Sequence, residues 1–236
     1  MIRVTFLAHS GFLAELDTVC LLFDWWKGEL PELPDKPLFV FASHRHPDHF
    51  SPRIFQLDDG GRDVRFLLAK DIRLSGRNRE KWGLTDAAAE KCVSVGGNET
   101  LPLPGLLVET LPSTDEGVAF LVTADGRTVY HAGDLNWWHW EGEDKAFNRN
   151  MEVDFKRDLE PLRGRRIDLA FAPLDPRLGE SSGWGLRYLL ELADVVRAFP
   201  MHQWEEFSLT RSFCDAHPKL ARRIVPVERP GQSWEF

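Results

Sequence analysis

Residues 43–50 read SHRHPDHF, and they close the apolar run LFVFAS. Three of the chain's eight histidines and one aspartate fall within 44–49. Such groups pack poorly in a core and repel one another when charged, so they belong at a strand end, sharing a counter-charge. His44 and His46 are two apart and point to the same side of an extended chain. Asp48 and His49 follow in the loop before a helix start, with Ser51 as N-cap and Pro52 at the first helical position. Pro47 and Pro52 stiffen the segment and lower the entropy cost of holding ligands together. Imidazole nitrogen with carboxylate oxygen and no thiolate suits zinc, iron(II) or manganese.

The rest of the chain predicts a layered α/β architecture. Strand-like runs are IRVTFLA, GFLAEL, VCLLFD, LFVFAS and VRFLLA, then IDLAFAP and VVRAFP. They are rich in Val, Leu and Phe and bounded by Gly, Pro and Asp. FLVTADGRTVYHA reads as a hairpin turning at Asp125-Gly126. Helices are expected from Ser51-Pro52 and over about 71–82, 148–163, 184–193 and 208–221. Hairpins precede helices in each half, which places sheets together with helices outside. Residues 28–37, GELPELPDKP, form a proline-punctuated loop, and no linker divides the chain, so residues 1–236 are expected to be a single domain.

The motif H-x-H-x-D-H after an apolar strand resembles the signature of the metallo-β-lactamase superfamily. VYHAGDLN (129–136) resembles that family's strand-end G-D segment, and FPMHQW (199–204) its late strand-end histidine. The resemblance implies a four-layer αβ/βα sandwich with one or two divalent ions at one end of the sheets. It implies His44 and His46 at a first ion, Asp48, His49 and His202 at a second, and Asp134 bridging both. The ion expected first is zinc, with manganese or iron(II) as alternatives. FLAHSGFLAEL and LLFDWW look most like the branch containing ascorbate-6-phosphate lactonase.

One piece of that pattern is missing. The family supplies a third histidine to the first ion, and residues 109–120, ETLPSTDEGVAF, contain none. Asp115 is the first candidate to replace it, with Glu116 as another oxygen donor. Alternatively the first position stays open, or His9 or His139 moves in. Downstream, DLNWWHWEGE places Trp137, Trp138 and Trp140 beside Asp134, as a wall over the pocket. His139 is a candidate proton donor to a leaving group. Asp48 is expected to orient water or to ligate the second ion. Asp24, closing VCLLFD, is expected to accept a hydrogen bond from a ligand imidazole and fix its tautomer. His9 is expected to pack at a strand end, His131 to pack against its strand, and Arg45 to point away from the histidines, into a salt bridge or toward the second layer.

Together these features predict a metal-dependent hydrolase that activates water against a small-molecule ester, lactone or phosphoester. A phosphodiesterase acting on nucleotides or short nucleic acids is the alternative, and a non-hydrolytic metal-binding or di-iron redox protein is an alternative of another class. A net charge of −8 argues against a nucleic-acid partner, which needs a basic face. Three widely spaced cysteines, Cys20, Cys92 and Cys214, argue against a disulfide framework. MIRVTFLAHS reads as a strand and not as a signal peptide, and no run approaches the ~18 apolar residues of a membrane span. A cytoplasmic location is therefore expected, with no membrane partner. A homo-oligomer is compatible with the sequence.

Overall fold

The computed structural model describes residues 1–236. The first six strands are β1 (Arg3–Ala8), β2 (Gly11–Glu15), β3 (Cys20–Phe23), β4 (Leu38–Ala42), β5 (Val64–Ala69) and β6 (Cys92–Val95). The next six are β7 (Thr100–Leu103), β8 (Leu106–Pro112), β9 (Val118–Ala124), β10 (Arg127–His131), β11 (Arg166–Pro173) and β12 (Asp194–Met201). The last strand, β13 (Ser233–Glu235), returns to the edge of the first sheet. The sheet orders are β13-β1-β2-β3-β4-β5-β6 and β12-β11-β10-β9-β8-β7. Each sheet has an antiparallel part and a parallel part. β3, β4, β5 and β6 pair in parallel in one, and β10, β11 and β12 in the other.

Strand patterning explains the layers. Phe39 and Phe41 of β4 belong to the core between the sheets, while Leu38, Val40 and Ala42 belong to a second core on the outer face. β3 splits the same way, with Leu21 and Phe23 inward and Cys20 and Leu22 outward. Strands buried on both faces are apolar throughout, because alternate residues serve different cores. Phe12 of β2 stacks on Phe171 of β11 at 4.3 Å between centroids, and Phe41 meets Phe120 of β9 at 5.1 Å. These pairs join the two sheets.

Helices α1 (Gly76–Trp82), α2 (Asp86–Glu90), α3 (Lys145–Leu159), α4 (Trp184–Leu192), α5 (Ser208–Ala216) and α6 (Pro218–Ala221) flank the sheets. Ile54, Phe55, Leu84 and Ala88 cover the first sheet, and Phe155, Leu159, Leu186, Leu189 and Phe213 cover the second. The result is a four-layer αβ/βα sandwich. No helix is long and apolar enough to cross a membrane.

Several expected boundaries shift for local reasons. Pro52–Leu57 is a 3-10 turn, with Ser51 Oγ accepting from Arg53 N–H. The helix expected over 71–82 begins at Gly76, capped by Ser75, because Asp71 is engaged with the Arg45 N–H at 2.8 Å. The helix expected over 148–163 spans Lys145–Leu159 and ends in a 3-10 turn. The stretch 208–221 is two helices, since Pro218 drives His217 out of helical geometry. The hairpin turn is as expected, with Asp125 at φ 51° and Gly126 at φ 70°. β6, β7, β8 and β13 carry polar residues or proline and gave no strong strand pattern; pairing with neighbours makes them strands.

Candidate metal centre

Strands from both sheets end at one rim. His9 follows β1, Asp24 follows β3, and His44 to His49 follow β4. Asp115 lies between β8 and β9, Asp134 follows β10, Asp175 follows β11 and His202 follows β12. Backbone bonds stitch the sheets together here, from His202 N–H to His9 O at 3.2 Å and from Val118 N–H to Ser43 O at 2.9 Å. Gly117, at φ 71°, permits the second contact; a Cβ there would lie 1.9 Å from Ser43 O.

Two groups of donor atoms result. His44, His46, Asp115 and Asp134 form one, and His9, Asp48, His49 and His202 form the other, with the donor atoms of each group within 4.8 Å of one another. Asp134 stands between them. Its Oδ1 is 3.2 Å from His49 Nε2 and 3.4 Å from His202 Nε2, and its Oδ2 is 3.6 Å from His44 Nε2. Asp115 Oδ2 comes within 3.6 Å of His46 Nδ1, on the side where the third histidine is missing. Glu116 is tied instead to Arg45, at 2.7 and 2.5 Å, while its Oε2 remains 3.6 Å from His46 Nε2.

Hydrogen bonds fix the imidazole tautomers. Asp24 is fully buried. Its Oδ1 accepts the Ser43 N–H, and its Oδ2 accepts the Ser43 hydroxyl and His49 Nδ1–H, all at 2.7 Å. The Ser43 oxygen, having donated its hydrogen, accepts from His44 Nδ1–H at 3.0 Å. Asp175 Oδ2 accepts from His202 Nδ1–H at 2.7 Å. Each bond turns Nε2 toward the centre, where His44 Nε2 lies 3.0 Å from His46 Nδ1. His131 also has a fixed tautomer: Nδ1 accepts from Gly133 N–H and Nε2–H donates to Ser10 O, so it clamps the rim and stacks on Phe23.

Electrostatics favour a bound cation. Burial would raise the Asp134 pKa, but the charges of His49, His202 and His44 around it hold it well below the carboxylate range. Burial would lower the His49 pKa, yet Asp134 and Asp24 push it well above the ordinary value. Burial, aided by His49, lowers the His44 pKa to about 4, which keeps that imidazole neutral and able to ligate. His9 is lowered too, by burial and by His202 and His49. Four buried polar atoms of the centre, His9 Nε2, His49 Nε2, His202 Nε2 and Asp134 Oδ1, have no hydrogen-bond partner. Unpaired buried polar atoms are costly, and convergent imidazole and carboxylate donors fit a divalent ion.

Some expected residues lie elsewhere. His9 does more than pack at its strand end: its ring is 4.0 Å from that of His202, and its Nε2 is 3.5 Å from Asp48 Oδ2. It joins the second group, not the first. A left-handed backbone at His9, φ 53°, turns the ring inward, and Asp24 and His202 share that conformation at 43° and 64°. Trp137 does not wall the pocket. It packs on Trp184 and Phe155, because it faces the helices while its neighbour Trp138 faces the cleft. His139 is not brought to the centre either; its ring sits 4.8 Å from Trp184, in an outer groove. The cleft over the centre, about 260 Å³, is lined by Trp138, Trp140, Thr114, Met151 and Arg177 beside the donor residues. Asp175 and Arg177 join the site without a motif of their own, and the one signal for them is that LAFAPLDP repeats the strand-then-aspartate pattern of VCLLFD.

The family model described as the beta-lactamase superfamily domain matches residues 3–153. The chain belongs to this superfamily. A UPF0173 metal-dependent hydrolase from Korarchaeum cryptofilum is 26% identical over 260 residues, covering all of both chains. Among solved structures, the metallo-beta-lactamase fold protein YhfI from Bacillus subtilis aligns over all of both chains with a TM-score of 0.65 and 15% identity. Igni18, a metallo hydrolase from Ignicoccus hospitalis, aligns over all of this chain and 99% of its own, with a TM-score of 0.63 and 17% identity. These structural likenesses establish that the sandwich is the superfamily's fold.

Proposed function

We propose that this metal-dependent hydrolase holds divalent ions at both donor groups and uses water to cleave a small-molecule ester, lactone or phosphoester. The supporting observation is the convergence of His9, His49 and His202 Nε2 with Asp134 Oδ1, all buried and without a hydrogen-bond partner, at a rim where His202 and Asp134 line the cleft. His9, Asp48, His49 and His202 would hold one ion, His44, His46 and Asp115 the other, and Asp134 both. A divalent ion supplies Lewis acidity and brings the pKa of water toward neutrality. Zinc is the first choice for this nitrogen and oxygen set, and manganese or iron(II) also accept it.

The chain's own residues prepare that chemistry. Asp24, Ser43 and Asp175 keep the imidazole lone pairs pointed into the centre. Burial would raise the Asp48 pKa, but His9 and His49 hold it well below the ordinary range, so Asp48 stays ionised and ligates or orients water by accepting its hydrogen bond. Trp138 and Trp140, stacked at 6.0 Å, shield one side of the cleft from solvent. The cleft's size favours a small substrate over a polymer. Within that class, resemblance to the lactonase branch ranks lactones first. Unpaired Cys20, Cys92 and Cys214 accord with a reducing, cytoplasmic setting.

Metal analysis, anomalous scattering at metal edges, and a panel of lactones, esters, phosphodiesters and thioesters test the proposal. Expected are bound divalent ions, turnover of a small substrate, and loss of most turnover in Asp134→Asn. Protein that takes up no ion in excess metal, or that turns over the panel undiminished after chelation, refutes it. An iron charge-transfer band with no hydrolysis would favour the redox alternative.

A further inference from the structure

We propose that Arg177 forms an anion subsite that reads a carboxylate or phosphate group of the substrate, set apart from the bond that is cleaved. The inference rests on the hydrolase reading above and narrows its substrate class. Arg177 lines the same cleft as His46, Asp48, Asp134 and His202, and it is the one lysine or arginine there. The other ionisable lining is histidine and aspartate.

The side chain is held in place before any ligand arrives. Asp175, fully buried, receives Arg177 Nε at 3.0 Å on each oxygen and Nη2 at 2.6 Å, and it also accepts the Arg177 backbone N–H at 2.9 Å. The guanidinium carbon lies 4.8 Å from the Trp204 ring centroid and 5.5 Å from that of Trp140. Two indole rings and a buried carboxylate therefore fix a flat cation, which lowers the entropy lost on binding. Nη1 makes no hydrogen bond within the chain, and the side chain is 47% exposed. An arginine serving only to brace Asp175 and His202 has no need of an unused donor at a cleft wall. A planar guanidinium with spare N–H groups matches the paired oxygens of a carboxylate or phosphate.

A matched pair of 4-nitrophenyl esters, the neutral acetate and the anionic hydrogen succinate, tests this on wild type, Arg177→Met and Arg177→Lys, with metal content measured for each. The Met variant is expected to lower the succinate-over-acetate ratio of kcat/KM by about 10- to 100-fold, mainly through KM. Arg177→Lys should recover part of the ratio, because charge returns without the fork. Succinate and inorganic phosphate as inhibitors separate the two oxyanions by which one loses more potency in the Met variant. A purely bracing role would change metal content and both esters together and leave the ratio intact, which overturns the proposal. If the wild type hydrolyses neither ester, quenching of Trp140 and Trp204 fluorescence by succinate and phosphate decides. Quenching lost in Arg177→Met upholds the anion subsite while the hydrolase reading fails, and equal quenching in both proteins overturns the subsite.

Discussion

Asp24→Asn takes one charge and one acceptor oxygen from the buried hub under both histidine groups. The carboxylate receives three donors at 2.7 Å: the Ser43 N–H, the Ser43 hydroxyl and His49 Nδ1–H. Asparagine offers one oxygen. If that oxygen faces the Ser43 N–H, the amide NH2 confronts His49 Nδ1 and the Ser43 hydroxyl. The imidazole must then carry its proton on Nε2, the nitrogen that faces Asp134. The opposite flip sets the NH2 against the Ser43 N–H. Either way a buried donor goes unmet, and a charge-assisted bond becomes a neutral one, for a total of about 2–5 kcal/mol. Backbone strain does not confuse the result, because asparagine tolerates the left-handed φ of 43° found here. The expected melting shift is roughly 5–15 °C for a chain of this length. Zinc affinity, read by chelator competition, should fall about 10- to 100-fold, and nitrogen NMR of the labelled metal-free protein should show His49 Nδ1 without the proton that it donates to Asp24 in the wild type. A variant that melts with the wild type, competes equally well and keeps its proton on Nδ1 would refute the reasoning.

Gly117→Ala should destabilise the protein by more than about 3 kcal/mol, since the new Cβ meets Ser43 O at a left-handed φ; a soluble variant with an unchanged melting temperature contradicts this. The pH dependence of folding should show Asp175. Burial opposes its ionisation, but the His202 and Arg177 hydrogen bonds lower its folded pKa to about 2. Its stabilisation is present above the unfolded value of about 3.9 and disappears as pH falls through the folded value. Urea melts of metal-free protein should weaken between about pH 4 and pH 2, with a shallower slope in Asp175→Asn; identical slopes count against it. His139→Ala should keep metal content and turnover within about twofold, because the ring packs on Trp184 outside the cleft; a deep loss of activity would return His139 to the mechanism.

Much of the fold was legible because long apolar strands at short spacing admit few arrangements. The unbroken apolar runs in VCLLFD and LFVFAS mark strands with both faces covered, and the Asp125-Gly126 turn marks its hairpin. SHRHPDHF was legible as a metal motif because its donors are close in sequence. Asp24 could be assigned a role from its place at a strand end. Asp175 stands at an equivalent strand end, yet its partners His202 and Arg177 show only in the structure. The place of His9 in the metal centre is hidden in the sequence, because a sequence does not display a left-handed turn. Trp137 and Trp138 look alike in sequence, and consecutive residues can face opposite ways.

What the chain by itself determined is local: which segments become strands, and that one strand must end in a cluster of imidazoles and a carboxylate. Which donors share a group was decided by tertiary structure, because the rim is built where the ends of strands from two sheets meet. There, a His202–His9 backbone bond brings together residues nearly the whole chain apart, and contacts of that kind depend on the packing of the sheets.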